Sequence, residues 1–534
     1  MNIKQEYLLV NKKLVIVLIS IIFLLTFFSL FFIENHSLVA HDESLYASRA
    51  KLILETNNWF TPFETAHHKT IGSYWLIALS FKIFGINEFS ARLPSYFFSI
   101  SSLFILFRII NLLSGFEIGI LSTFALLSSY IWFNYSNYCS PDTLYIFFNL
   151  LGIFHLINID KNTNENIKNK NLFLAGIFFS LPFFVRSYMQ LLPLISLLPL
   201  FFYKIQKLTY KNKKYFFLGL IVGLLPLIIF YLISFKTYGL SSLARPFFLL
   251  QKKTLTENEL FEGFLFYPRN LILFCIPFFI FLINGSRFIL KNKSRELQIL
   301  FFYSPLINIL LLMLTASKYS HYGLFSIPLL ASNASFGIYE SLKNKSYISK
   351  LSLKVFGGLV FLIGISIILG ILLKSNLNIP IEMGFFDIFA ILFLTIVLII
   401  LSFNFFYRIN YRFININSII SIFSVQIIIL SLFFANGIIG NPNSEIKDFL
   451  NQGIVKEVIT NNNVFLMGKL DSKKRHLFQF YIPQTKEITM KEAIVREDIY
   501  GIVSDKQLIR LDDSMRDKFI ILEEYENFNF VKLN

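Results

Sequence analysis

The sequence predicts an all-α polytopic membrane domain of about thirteen transmembrane helices followed by a small C-terminal α/β domain. Three observations predict it. Of 534 residues, 55% are hydrophobic and only 15% charged, where soluble domains carry roughly 25% charged residues, and the mean hydropathy is +0.61. Apolar runs long enough to cross about 30 Å of hydrocarbon recur through residues 1–440. Charge divides at the same boundary: residues 441–534 hold 14 basic and 15 acidic residues, leaving 35 basic against 18 acidic in residues 1–440. In a membrane protein such a basic excess belongs first to cytoplasmic loops, so it gives no ground for nucleic-acid binding. A cysteine framework is excluded as well, because only Cys139 and Cys275 occur and the second sits inside an apolar run.

The apolar runs fall at about 13–33, 92–112, 115–134, 142–158, 171–185, 188–203, 215–235, 269–284, 297–316, 322–339, 354–373, 385–405 and 413–436. Lysine and arginine concentrate in alternate connections, at 204–214, 287–295, 343–350 and 408–412, and also at Lys4, Lys12 and Lys13. By the positive-inside rule the N-terminus is cytoplasmic, and the outside segments are 34–91, 135–141, 236–268, 317–321, 374–384 and the tail from 437. The first apolar core, about twenty residues, exceeds the 7–15 of a secretory signal and reads as an uncleaved span. No repeat and no matching pair of Gly/Pro-broken spans is found, so a transporter built on inverted repeats loses support. In the tail, Asn441-Pro442-Asn443-Ser444 offers a turn and cap for a helix near 445–459. Runs of β type follow at 464–467, 477–482, 500–503, 519–522 and 528–531.

Chemistry concentrates in the outside segments. The first reads His41-Asp42-Glu43-Ser44-Leu45-Tyr46-Ala47, then His67-His68-Lys69-Thr70-Ile71-Gly72-Ser73-Tyr74-Trp75, and closes on Phe89-Ser90-Ala91-Arg92-Leu93-Pro94. Adjacent carboxylates just beyond a span, where burial and mutual repulsion raise one pKa, suit a general base. Taken alone, a bare Asp-Glu pair reads first as a solvated helix cap. Asp142, in Ser140-Pro141-Asp142 at the head of a span, is comfortable at a helix N-terminus with or without a function. Lys318, in Ser317-Lys318-Tyr319-Ser320-His321-Tyr322, is either a partnered charge or a snorkelling lysine. Arg92 reads as a catalytic-side cation or an anchor at the outer surface, and His67 and His68 as functional or as packed interface rings. No Gly-rich cradle follows a strand, which argues against a soluble nucleotide sugar as substrate. No Asp-x-Asp cluster stands outside; the sequence demands no metal and leaves a divalent ion open.

Taken in order after the first span, Asp-Glu-x-x-Tyr-Ala, Lys-x-x-x-x-Tyr-Trp and Phe-x-x-Arg-Leu-Pro resemble the polyprenyl-phosphate-sugar glycosyltransferases of the GT-C class. These include the lipid A aminoarabinose transferases and the protein O-mannosyltransferases. The Ser140-Pro141-Asp142 segment, Arg186 before a Pro-containing span, and the 317–322 segment running into Pro328 agree, so the resemblance covers about 35–340. It implies a GT-C-like membrane domain and an inverting transfer of one sugar from a polyprenyl-phosphate donor to an acceptor on the outer face of the bacterial cytoplasmic membrane. Asp42 would be the general base and Glu43 its close support. Lys69, Lys318 and Arg186 would neutralise the donor phosphate, with Tyr322 and His321 bonding to it, and Tyr46, Tyr74, Arg92, Asp142 and His68 are further site positions. The chain departs from the family in having His68-Lys69-Thr70 where Glu-Lys-Pro is common, and segment 236–268 shows no Asn-Glu-His-like motif. The acceptor is thus left open among lipid, glycan and protein. The bilayer is a partner and nucleic acid is not. Two other classes are weighed: a flippase or transporter of lipid-linked sugars, which would keep ionisable groups within its spans, and a glycan polymerase or ligase, which would use a diphosphate.

Overall fold

The computed structural model describes residues 10–31, 36–67, 69–161, 163–252, 263–315, 318–344, 346–373, 384–407 and 414–533. Helix α1 (Lys12–Phe31) is apolar all round, as a lipid-facing span must be. Two shorter helices follow, α2 (Asp42–Thr56) and α3 (Gly72–Phe84), where the sequence was read only as an outside segment. Next comes α4 (Glu88–Ser114), whose start is fixed by a capping box: Asn87 Oδ1 accepts the Ser90 N–H at 2.8 Å, and Ser90 Oγ accepts the Asn87 N–H at 3.2 Å. The chain continues through α5 (Phe116–Ser128), α6 (Tyr130–Ser136), α7 (Asp142–Asn158), α8 (Glu165–Ser180), α9 (Pro182–Arg186), α10 (Leu191–Ile205) and α11 (Tyr210–Tyr238).

Among the described residues, eight helical stretches are long and apolar enough to cross a membrane, or ten when two bent pairs each count as one span. The sequence count was about thirteen, and the differences have local causes. The runs at 171–185 and 188–203 belong to one broken stretch, Glu165–Ile205. The run at 142–158 becomes α7, whose 17 residues rise only about 25 Å. The run at 322–339 becomes Ser326–Lys343, which is buried on nearly every side; enclosed by protein, it carries Ser332, Asn333 and Ser335 at no cost in lipid. The runs at 115–134 and 269–284 form the bent pairs, turning by 74° between α5 and α6 and by 107° between Phe266–Phe274 and Phe278–Lys291.

A close helix approach joins α8 to α11. A Cβ on Gly219 would stand 2.0 Å from the Phe173 carbonyl oxygen, and one on Gly223 would stand 2.1 Å from Ser180 Oγ. Gly219 and Gly223 are four residues apart on one face, the small-xxx-small spacing that lets helix backbones meet in a membrane. This contact holds the end of α8, and with it α9 and Arg186, in place.

In the tail, helices Ser444–Leu450 and Gly453–Asn461 precede β1 (Val464–Met467), β2 (Lys486–Ile488), β3 (Ile499–Ser504), β4 (Phe519–Tyr525) and β5 (Phe528–Leu533). The strands form one mixed sheet in the order β2-β1-β3-β5-β4, with β1 parallel to both its neighbours. The run at 477–482, expected as a strand, lies mainly in the helix Ser472–Tyr481. There Leu477, Phe478 and Phe480 are buried in a core shared with Ala47 and Ile53 of α2 and Phe81 of α3, and this packing overrides β propensity. Docking is polar too. Lys51 Nζ of α2 donates to the carbonyls of Gln479, Phe480 and Ile482 at 3.0, 3.0 and 2.7 Å, and Glu88 accepts from Lys447 at 2.6 Å and from the Tyr481 hydroxyl at 2.9 Å.

Gly219→Val would push α11 off α8. We expect it to cost about 1–3 kcal/mol by overpacking, read as a lowered thermal unfolding midpoint of the purified protein, whereas Gly370→Val, with nothing within 4 Å of the added Cβ, should leave the midpoint nearly unchanged.

Candidate active site

The site is built on the first turn of α2. Before it, His41 takes φ 81° and ψ −84°, a conformation costly for a non-glycine residue and held only by its surroundings. Glu43 is fully buried and faces inward. Its Oε1 accepts from Arg92 Nε at 2.6 Å and from the Cys139 N–H at 2.8 Å; its Oε2 accepts from Arg92 Nη2 at 2.8 Å and from the Val39 N–H at 2.8 Å. Arg92 Nη2 also donates to the carbonyls of Ser37 and Gly440, each at 3.2 Å. Neither side chain lines the cavity: four donors saturate the Glu43 carboxylate behind Asp42, and the Arg92 guanidinium is sealed beneath it.

Asp42 faces the opposite way, into a cavity of about 1220 Å³ between the membrane part and the tail. One face of α2 lines it: Asp42, Leu45, Tyr46, Arg49 and Leu52 fall at i, i+3, i+4, i+7 and i+10. Burial alone would raise the Asp42 carboxyl, but the hydrogen bond from His41, at 3.3 Å, and the charges of Lys69 and His321 outweigh it and hold the carboxyl well below the usual carboxylate range.

Lys69 and Arg186 line the same wall. Gly72 explains their proximity: a Cβ there would stand 2.6 Å from the Phe184 carbonyl oxygen, so only glycine lets the chain after Lys69 close onto α9. Thr70 Oγ1 donates to Phe183 O at 3.3 Å. Ser187, directly after Arg186, is a second non-glycine residue at positive φ, 58°. Arg186 Nη2 lies 2.9 Å from Asp142 Oδ1 and its Nη1 donates to the Tyr46 hydroxyl at 2.9 Å, so its charge is already matched. Lys69 Nζ stands 4.4 Å above the Tyr46 ring and forms no ion pair among the described residues. Burial pushes its ammonium down to about 8, with Asp42 opposing and Arg186 reinforcing the shift.

The third part of the wall is Tyr319, His321 and Tyr322. The Tyr135 hydroxyl and His321 Nδ1 are 3.3 Å apart, and the His321 ring meets Tyr322 edge-on at 4.6 Å. Lys318, expected beside them, is not in the cavity wall. It donates to the Leu312 and Met313 carbonyls at 3.2 and 2.7 Å, an ordinary helix C-terminal cap, so the structure does not bring it to the other residues read as binding the donor phosphate. Tyr74 is buried beneath Tyr46, with ring centroids 5.4 Å apart, and does not line the cavity. His68 lies outside the described residues. Sequence reading missed Arg49 and the tail residues of the opposite wall; the i, i+4, i+7 polar stripe from Asp42 was a usable signal for Arg49, but no motif marked the tail.

Residues 68–233 match the family model described as dolichyl-phosphate-mannose-protein mannosyltransferase. Across 98% of both chains the fold superposes with a TM-score of 0.75 on the crystal structure of ArnT from Cupriavidus metallidurans bound to undecaprenyl phosphate, at 11% identity. The apo form of that protein gives 0.74 over 97% of both chains, at 11% identity. The chain has the fold of that transferase along nearly its whole length. Sequence relatives match over shorter stretches. The undecaprenyl phosphate-alpha-4-amino-4-deoxy-L-arabinose arabinosyl transferase of Wigglesworthia glossinidia brevipalpis is 25% identical over 34% of the chain. Two uncharacterized proteins of Aquifex aeolicus are 29% identical over 27% of the chain and 26% identical over 58%. The aligned stretches span 33%, 29% and 71% of those relatives' own lengths.

The Glu43–Arg92 pair makes a stability prediction. Arg92→Met leaves a buried carboxylate without its counter-charge and should cost about 3–5 kcal/mol, whereas the double change Glu43→Gln with Arg92→Met should cost less than the two singles together. Thermal unfolding of the four proteins reads the difference.

Proposed function

We propose that this chain is an integral membrane glycosyltransferase of the GT-C class that moves one sugar from a polyprenyl-phosphate donor to an acceptor on the outer face of the cytoplasmic membrane. The observation that carries the reading is the single cavity wall on which the Asp42 carboxylate faces the cations Lys69 and Arg186. The donor is a phosphodiester with one negative charge. As the bond from the sugar's anomeric carbon to the phosphate oxygen breaks, the leaving polyprenyl phosphate gains a second negative charge, and the acceptor oxygen bonds to that carbon from the opposite face. Fixed cations aimed at the oxygen where charge grows are the most effective stabilisers of such a step. Arg186 is balanced by Asp142, so Lys69 supplies the uncompensated charge.

Asp42 takes the acceptor proton. A carboxyl held so low is a weak base in the empty site, since a base works best with a pKa near the working pH. The same cations that depress it are neutralised when the donor phosphate arrives, so its basicity returns when the donor binds. A flippase moves its cargo intact and has no use for a base opposed to two cations. Incubating the purified protein with a radiolabelled sugar-phosphate polyprenol separates the two: release of polyprenyl phosphate supports transfer, and passage across a vesicle without cleavage supports flipping.

Two outcomes follow for the site. Asp42→Asn should lower turnover by about 10²–10⁴, with little change in donor binding. Lys69 binds the donor only while protonated, so kcat/KM for the donor should be full below about pH 7 and fall as the pH rises through about 8; Lys69→Arg should abolish that alkaline limb. Orientation is read by thiol labelling: Cys139 and Cys275 are buried, and a cysteine at Asn462 should react with an impermeant reagent from outside the cell where one at Lys211 does not.

A further inference from the structure

A second cavity, of about 350 Å³, lies far from Asp42, between the ends of the helices Leu282–Lys291 and Ser326–Lys343 and the start of Tyr347–Leu372. Tyr322, in the wall of the Asp42 cavity, stands just before Ser326, whereas Glu340, in the wall of the second cavity, lies about 21 Å further along the same helix. The two cavities therefore belong to opposite faces of the membrane part. The connections that meet at the second one, 287–295 and 343–350, are two of the basic stretches that read as cytoplasmic.

Its frame is fixed. A Cβ on Gly285 would stand 1.9 Å from the Asn333 carbonyl oxygen, so the first two helices meet backbone to backbone. Buried Asn284 then ties in the third, its Nδ2 donating to Ser341 Oγ at 2.8 Å and to Ser352 Oγ at 3.0 Å. Into this frame Leu282–Lys291 presents Arg287 and Lys291, which share a face at i and i+4. The neighbouring helix presents Glu340, whose Oε1 accepts from Asn344 Nδ2 at 3.4 Å. Among the described residues none of these three charges forms an ion pair, with each other or elsewhere. Two cations and one carboxylate thus line one small cavity without neutralising one another.

A ligand with one phosphate and one ammonium satisfies all three charges at once. We propose that this cavity binds a phospholipid of the cytoplasmic leaflet through a phosphoethanolamine headgroup, with the phosphate on Arg287 and Lys291 and the ammonium on Glu340. Its volume, about 350 Å³, suits one small group, for which pockets run from roughly 300 to 1,000 Å³, and basic pockets between membrane helices on the cytoplasmic side are recurrent headgroup sites. The surroundings favour a lipid over a soluble phosphoester. Exposed Ile283 and Leu290 bracket Arg287 on its own helix, and exposed Ile348, Leu351 and Val355 lead away from the cavity wall at i, i+3 and i+7. Acyl chains lie along these two apolar stripes. The inference uses neither the Asp42 cavity nor the donor chemistry.

The test uses the full-length protein in detergent, stripped of lipid, and follows the rise in its thermal unfolding midpoint on adding phosphatidylethanolamine, phosphatidylglycerol or phosphatidylcholine with the same acyl chains. We expect the ethanolamine lipid to give the largest rise, because glycerol brings no cation to Glu340 and choline brings no N–H donor. Glu340→Gln should erase that preference. The double change Arg287→Gln with Lys291→Gln should shrink the rise with all three lipids, while Lys354→Gln, an exposed cation outside the cavity, should respond as the wild type does. Each variant is compared with itself, with and without lipid, so a change in its own stability does not enter. Equal rises for the three lipids in the wild type, a preference that survives Glu340→Gln, or a response unchanged in the double variant overturns the proposal. So does a rise with soluble O-phosphoethanolamine equal to that with the lipid, which assigns the cavity to a free phosphoester.

Discussion

A carboxylate and a guanidinium sealed from solvent, Glu43 and Arg92, anchor the architecture around the site. Removing two ions from water is tolerable only when every remaining lone pair and proton finds a partner, and here the partners come from across the chain. Val39 and Cys139 supply N–H groups, and Ser37 and Gly440 supply carbonyls. The connection before α2, the head of α4, the turn before α7 and the exit from the last apolar helix are thereby tied to one point. The tie also aims Asp42. Successive residues on a helix point about 100° apart, so drawing Glu43 inward turns Asp42 toward the cavity.

Strain and close contact hold the opposing cations. His41 and Ser187, both at positive φ, stand beside Asp42 and Arg186, and glycines at 72, 219 and 223 let α3 meet α9 and α8 meet α11 without intervening side chains. Burial of Lys69 without an ion-pair partner is a cost the fold carries in the empty site. That cost is what a bound anion relieves, so part of the site's affinity is stored as destabilisation of the free protein.

Much of this was legible in the residues. Span-length apolar runs marked the membrane domain, and the segments around Asp42, Lys69, Arg186 and His321 converge on one wall as their order implied. What escaped shares a cause: sequence shows residue types and spacing but not which way a side chain turns. Adjacent Asp42 and Glu43 read as a pair although a helix separates them onto different faces, and Lys318 read as a ligand although it caps the helix beneath it. The run at 477–482 read as a strand because its partners, Ala47, Ile53 and Phe81, lie some four hundred residues earlier. Thirteen apolar runs outnumber the eight to ten span-length stretches among the described residues because a helix enclosed by other helices and one exposed to lipid can share an apolar composition.

Lys51 places three of its hydrogen bonds on main-chain carbonyls of the tail, and main-chain carbonyls carry no side-chain identity. The joint between the membrane part and the tail therefore constrains the path of the tail backbone while leaving most of its sequence free to diverge. Evolution could exchange one tail for another wherever a replacement offered a helix end in the same position.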